Sequence, residues 1–270
     1  MTYKLGYAAR MRRTFDFLGA IFDVDDTLLD NAPDSVGSGL HERSRLAAVV
    51  EVGKTRGLRQ ILNISPEQNV EDFRTAKTST VEAAVWNTLS RTGIVELGEI
   101  DLENEILKEI VRLKHQLHKD VLREYGKEVA GASAFVRSMA ALGLKGKLAI
   151  ASSGIGSEIE LFLEMVGLSE FFSSNQIISK EKVRFHKPHP EPFELAFASL
   201  DLPDTARRKV LAFEDDPRGV LAAQGAGLFV CAITTTHSRE LFSSLEVPPD
   251  LIADSFAEFE KELGLDADPG

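Results

Sequence analysis

The sequence predicts an α/β fold in which a Rossmann-like parallel sheet core is interrupted by an inserted α-helical domain. Three observations carry this reading. Over residues 131–264 short apolar runs alternate with helical segments, the order that builds a parallel sheet covered on both faces. Over 32–130 the apolar residues recur at helical spacing and β-branched runs are few. One more strand pattern, within 21–30, precedes that helical stretch. The core is therefore expected to be assembled from 17–31 and 131–264, with a helical domain at 32–130 and an exposed extension at 1–16.

In chain order, Ile21 and Phe22 run into Asp23-Val24-Asp25-Asp26-Thr27, an apolar strand ending in an acidic knot. Asn31-Ala32-Pro33-Asp34-Ser35 is a turn-rich exit. Leu46, Val49 and Val50 mark one apolar helix face, and Val81, Ala84, Val85 and Leu89 another, with Trp86 beside it. The clearest helix starts near Asp101, a candidate N-cap. Its stripe of Ile106, Leu107, Ile110, Leu113, Leu117 and Val121 reads as core packing. His115 and His118 lie among Lys114 and Lys119 and read as a solvated face rather than a metal pair. Further on, helices are expected over 135–142, 159–166 and 191–200, and from Pro217 to 226. Strands are expected over 147–151, 176–179, 210–213, 228–233 and 250–253.

Composition narrows the function classes. Among 270 residues, 43% are hydrophobic and 27% charged, ordinary for a globular protein. A net charge of -11 argues against a nucleic-acid partner, which calls for a basic face. No apolar run reaches the roughly 18 residues of a membrane span. Cys231 is alone, so the chain forms no internal disulfide and suits a reducing compartment, read here as the cytoplasm. Its apolar neighbours mark it as a buried strand residue. The oligomeric state is open and compatible with a monomer.

Ligands of open parallel sheets bind at the carboxyl ends of the strands, and several polar groups collect there. Asp23 and Asp25 would share a side if the first strand continued. Their crowding implies a cation or proton that relieves it, although Asp is also common in solvated turns. Ser152-Ser153-Gly154 offers hydroxyls and backbone N–H groups, or simply a helix cap and turn. Gly154-Ile155-Gly156 lacks the third glycine of a dinucleotide fingerprint, so a nicotinamide cofactor is not expected. Lys187, within His186-Lys187-Pro188-His189-Pro190, precedes a helix. Glu214-Asp215-Asp216 ends another strand, with Asp216 before Pro217 also readable as a cap.

Taken in order, these groups resemble the four motifs of the haloacid dehalogenase superfamily. Phe22-Asp23-Val24-Asp25-Asp26-Thr27 is similar to its first motif, DxDxT, and Lys187-Pro188-His189-Pro190 to its third. The stretch from Phe213 to Gly227 resembles the fourth at length, and the likeness spans roughly residues 18 to 260. The helical insert looks like the cap of the β-phosphoglucomutase and phosphoglycolate-phosphatase-like branch. The resemblance implies a Mg²⁺-dependent phosphatase of a small phosphorylated metabolite. Asp23 would attack phosphorus and Asp25 would handle protons. The Asp23 and Asp215 carboxylates and the Asp25 carbonyl would hold the metal, with Glu214 nearby or indirect. Ser152, Ser153 and Lys187 would hold the phosphoryl group.

From the cap, Arg74, Lys77 and Thr78 are candidates to meet the substrate. A phosphomutase would share every core residue, and a phosphonatase would use a cap lysine such as Lys54 or Lys77. Two positions depart from the family pattern: Asp26 stands where many relatives have Gly, and Asp216 where this branch commonly has Ser.

Overall fold

In a computed structural model of the chain, the described residues are 16–31, 38–78 and 80–265. Apart from residue 16, the expected extension at 1–16 lies outside them, as does most of the turn-rich exit. The strands are β1 (Gly19–Phe22), β2 (Leu29–Asp30), β3 (Lys127–Glu128), β4 (Leu148–Ala151), β5 (Ile177–Ile178), β6 (Val210–Glu214), β7 (Phe229–Ile233) and β8 (Leu251–Ala253). The helices are α1 (Leu40–Arg56), α2 (Pro66–Arg74), α3 (Val81–Arg91), α4 (Glu105–Tyr125), α5 (Ala132–Met139), α6 (Gly156–Met165), α7 (Glu191–Ser199), α8 (Pro217–Gly225), α9 (Arg239–Ser243) and α10 (Phe256–Leu263). They fall into two compact units. The second unit is Leu29–Glu128 together with Ser157–Gly167, so most of α6 groups with the helices; the first is the rest.

The first unit is built on a six-stranded sheet in the order β5-β4-β1-β6-β7-β8. Every pairing in it is parallel, with Phe22 opposite Ile150 on one side and Phe213 on the other. Alternation along the strands divides its two faces. Ile21, Ala149, Ala212 and Val230 pack with Phe193 and Phe197 of α7 and Val220 and Ala223 of α8. On the opposite face Phe22 stacks on Phe213 at 4.9 Å, and Phe135 of α5 and Phe259 of α10 meet the Phe213 ring edge-on. Phe22, Phe135, Phe213 and Phe259 are fully buried, and each such side chain contributes about 1.5–3 kcal/mol of burial free energy. Cys231 is buried in β7, and burial pushes its thiol well above the ordinary range.

The second unit packs α1 against α4 around Ala48, Val49, Val52, Trp86, Leu89, Leu107 and Ile110. Two expectations change here. The cap of α4 is Asn104, whose side chain accepts from the backbone N–H groups of Ile106 and Leu107, and Asp101 forms a turn just before it. The face of α4 is also rotated: Leu107, Ile110, Lys114, His118 and Leu122 are buried, while Leu113 and Leu117 are only partly so. The basic run expected in solvent therefore turns Lys114 and His118 inward. Ser44 of α1 lies 3.1 Å from His118 Nδ1, the His41 and His118 rings stack at 4.4 Å, and Lys114 Nζ lies 3.1 Å from His41 Nδ1. Glu158 of α6 supplies the negative charge, 3.4 Å from His115 and 3.8 Å from His118. A short antiparallel pair, β2 with β3, was also not expected.

Burial pushes the Glu158 carboxyl up, but the His115 hydrogen bond and the charges of His118, Lys114 and His41 outweigh it and hold the group below its usual range. Such a depressed group stabilises the fold above its unfolded value, about 4.3, and loses that contribution as pH falls through the folded one. Glu158→Gln is thus expected to lower stability at pH 7 by on the order of 3 kcal/mol, since it breaks a buried pair. Thermal unfolding across pH checks this, with the gap to the wild type closing below about pH 4. No helix among the described residues is long and apolar enough to cross a membrane.

Candidate active site

The register of the sheet makes the site. Phe22 and Phe213 lie side by side, so the residues that follow them, Asp23 and Glu214, emerge from neighbouring strand ends. Asp23 N–H donates to the Phe213 carbonyl at 3.0 Å, which keeps the chains together one residue past β1. Asp215 comes next, and the three carboxylates offer oxygens within 4.8 Å of one another. All three residues are buried.

Lys187 enters from the loop before α7. Its ammonium donates to Asp23 Oδ1 at 2.6 Å and Glu214 Oε1 at 2.5 Å, lies over the Phe193 ring, and its side chain is only 9% exposed. The two carboxylates raise its pKa against the effect of burial. One ammonium among three acids leaves the cluster short of positive charge. Burial raises Asp23 and pushes Glu214 well up. It drives Asp215 to about 8, with the charge of Asp23 adding to it. Acids that resist ionisation together without a cation are what a divalent ion relieves, and an all-oxygen donor set suits a hard ion. The residues present therefore fit Mg²⁺.

Ser152 lies just past the end of β4, buried, with its Oγ accepting from Gly154 N–H at 3.0 Å; Ser153 is exposed. Asp25 is half-buried, and its carboxyl is not one of the three that cluster. Arg74 ends α2, and Lys77 and Thr78 lie between α2 and α3, all exposed and all in the second unit. Asp72, just ahead of them, is committed elsewhere in that unit: Arg91 grips it through two bonds and Thr88 through a third.

The two departures acquire explanations. Asp26 has φ 59°, the left-handed region that Gly enters freely and that Asp tolerates better than most residues. Replacing it with Gly removes that cost, and Asp26→Gly is expected to stabilise the protein by about 0.5–1 kcal/mol, measurable by chemical denaturation. Asp216 is the N-cap of α8: its carboxylate accepts from Arg218 N–H at 2.7 Å and is gripped by the Arg218 side chain, so its charge is spent locally.

Other residues act without having been singled out for it. Thr27 donates to Asp215 Oδ1 at 3.0 Å, and Thr236 lies 2.7 Å from Oδ2. Gly219 of α8 leaves room for Glu214, because a Cβ there would overlap the Glu214 carboxyl. Gly219 was legible only as part of the stretch from Phe213 to Gly227 that resembles the fourth motif. Thr236 carried none.

The haloacid dehalogenase-like hydrolase family matches residues 20–233, a span that includes the acidic cluster, Ser152 and Lys187. The chain belongs to that family. Among its relatives, glycerol-1-phosphate phosphohydrolase 2 of Saccharomyces cerevisiae is 32% identical over 133 residues, covering 47% of this chain and 52% of that protein. The chain thus spans about half the length of the curated relatives it matches at this identity. Phosphoglycolate phosphatase of Salmonella paratyphi A is 26% identical over 265 residues, 94% of this chain and 96% of that one. A solved hydrolase of the same family from Entamoeba histolytica, of family IA, variant 3, shares the fold with a TM-score of 0.67 at 19% identity, covering 92% of this chain and 97% of its own. As in any haloacid dehalogenase-like hydrolase, the fold is a frame, and activity has to be argued from the groups it gathers.

Proposed function

We propose that the chain is a Mg²⁺-dependent phosphatase that hydrolyses a small phosphorylated metabolite through an aspartyl-phosphate on Asp23. The observation that carries the proposal is the convergence of Asp23, Glu214 and Asp215 with Lys187 on adjacent strand ends, buried and short of positive charge. The names of the relatives, a glycerol-1-phosphate phosphohydrolase and a phosphoglycolate phosphatase, support a small phosphate monoester.

In this reading Asp23 is the nucleophile. Lys187 holds its Oδ1 and so sets the plane of the carboxylate before substrate arrives. Asp25 gives a proton to the departing alcohol oxygen, then takes one from the water that opens the acyl phosphate. The same side chain can serve twice because the first step leaves it as a base. Ser152, oriented by its bond from Gly154 N–H, donates to a phosphoryl oxygen. The carboxylates of Asp23 and Asp215 and the carbonyl of Asp25 would hold Mg²⁺, with Glu214 turned toward Lys187. The ion supplies charge stabilisation for the phosphoryl oxygens. Exposed Lys77 of the helical unit is the candidate for substrate selection.

A panel of phosphorylated metabolites, assayed for released phosphate with Mg²⁺ and with chelator, tests this reading. Phosphate release that depends on Mg²⁺ is expected for at least one small monoester. An isomerised sugar phosphate without release would identify a phosphomutase instead. Release from a phosphonate that borohydride traps on a lysine would identify a phosphonatase.

A further inference from the structure

The loop after β7 carries three adjacent threonines and a histidine, Thr234-Thr235-Thr236-His237, immediately beyond the family match, which ends at residue 233. Each threonine reaches a different strand end. Thr234 Oγ1 donates to Asp254 Oδ1 at 2.7 Å and its N–H to the Ala253 carbonyl at 3.0 Å, which ties the loop to the end of β8. Thr235 Oγ1 donates to the Asp26 carbonyl at 2.5 Å. Thr236 Oγ1 lies 2.7 Å from Asp215 Oδ2, 2.9 Å from the Asp215 carbonyl and 2.8 Å from His237 Nδ1.

The order of the sheet makes these contacts unusual. β7 neighbours β6, whose end leads into Asp215, but β1 lies one strand further on. Thr235 therefore reaches past β6 to the turn that follows Asp23, while Thr236 reaches the carboxylate of Asp215, the residue after β6. One loop holds both strand ends that carry the acidic cluster. At Asp215 the arrangement is nearly symmetric, with Thr27 on Oδ1 and Thr236 on Oδ2. A carboxylate bonded on both oxygens cannot rotate without breaking one bond. A hydroxyl has one proton to give. With Nδ1 of His237 protonated, that ring faces Thr236 Oγ1 at 2.8 Å and the Asp215 carbonyl at 3.2 Å as acceptors. The threonine proton is left for Asp215, whose Oδ2 at 2.7 Å is nearer than its carbonyl at 2.9 Å.

We propose that Thr236, backed by Thr235, is a positioning residue of the metal site: it fixes the orientation of the Asp215 carboxylate so that the ion meets it preformed. The inference rests on the reading of Asp23 and Asp215 as Mg²⁺ ligands. Partners that orient metal-ligating carboxylates are worth about 10–100-fold in metal affinity when removed. Thr236→Val keeps the shape and removes the hydroxyl, and Thr236→Ser restores it.

Mg²⁺ is titrated calorimetrically into the full chain without substrate, for the wild type and both variants, alongside kcat at saturating Mg²⁺. Thr236→Val is expected to raise the Mg²⁺ Kd about 10–100-fold, to regain most of kcat at saturating Mg²⁺, and to be rescued by Thr236→Ser. Wild-type affinity in a folded Thr236→Val protein overturns this inference alone. A wild type that binds no Mg²⁺ overturns the metal reading itself, and the inference with it. Residue 236 is exposed, and Thr236→Ala gives the same comparison should the valine variant fail to fold.

Discussion

Asp23→Asn is expected to retain the fold and lose turnover by on the order of 10⁴-fold or more, the scale seen when a covalent nucleophile is removed. The substitution keeps the size of the side chain and an oxygen able to accept from Lys187, whose ammonium now lies 2.6 Å from Asp23 Oδ1. It removes the one atom type the chemistry needs, an anionic oxygen able to attack phosphorus. Because Asp23 is buried at the end of β1, packed between β4 and β6, its replacement leaves the sheet pairing untouched. Circular dichroism and thermal unfolding check the fold, and a phosphate-release assay checks the activity. Near-normal turnover in a folded Asp23→Asn protein is incompatible with the proposed chemistry.

Lys187→Met is expected to damage both catalysis and stability, because it removes the ammonium that bonds both Asp23 and Glu214. Breaking a buried ion pair from one side costs about 3–5 kcal/mol at neutral pH. The sign of its pH dependence follows from the carboxyls. Asp23 and Glu214 already have raised values and Asp215 is near 8, so each contributes stability that is complete below the unfolded value and lost as pH rises through the folded one. The metal-free wild type is therefore expected to lose stability between about pH 4 and 8. In Lys187→Met the raised groups rise further, so the loss is steeper and the gap between the two proteins widens with pH. Unfolding in chelator at pH 5 and pH 8 measures it. A gap that narrows toward pH 8 contradicts the arrangement.

The parts of the fold that the sequence made legible are those with local causes. Apolar runs closed by Ser152-Ser153-Gly154 or Glu214-Asp215 announce strands and their ends, and the alternation after residue 131 announces a parallel sheet. Asp23, Glu214 and Asp215 stood out as crowded acids at strand ends, and Lys187, unremarkable alone, through its place in the order of the four motifs. What stayed hidden depends on distant partners. Lys114 and His118 look like surface residues until Glu158, on another helix, neutralises them. Thr236 looks like any loop threonine until β7 sets it beside Asp215. Gly219 is an ordinary helical glycine until the Glu214 carboxyl occupies the space above it. Asp26 showed in the sequence only as a departure from Gly, and the left-handed backbone angle it adopts is one that no side-chain pattern reveals.

The covalent step is the centre of this account. The Mg²⁺-loaded protein, mixed with a ³²P-labelled substrate found in the metabolite panel and quenched in acid within a single turnover, should carry an acid-stable, hydroxylamine-sensitive label on the peptide containing Asp23. Turnover that proceeds with no label there, or with the label on another residue, contradicts it.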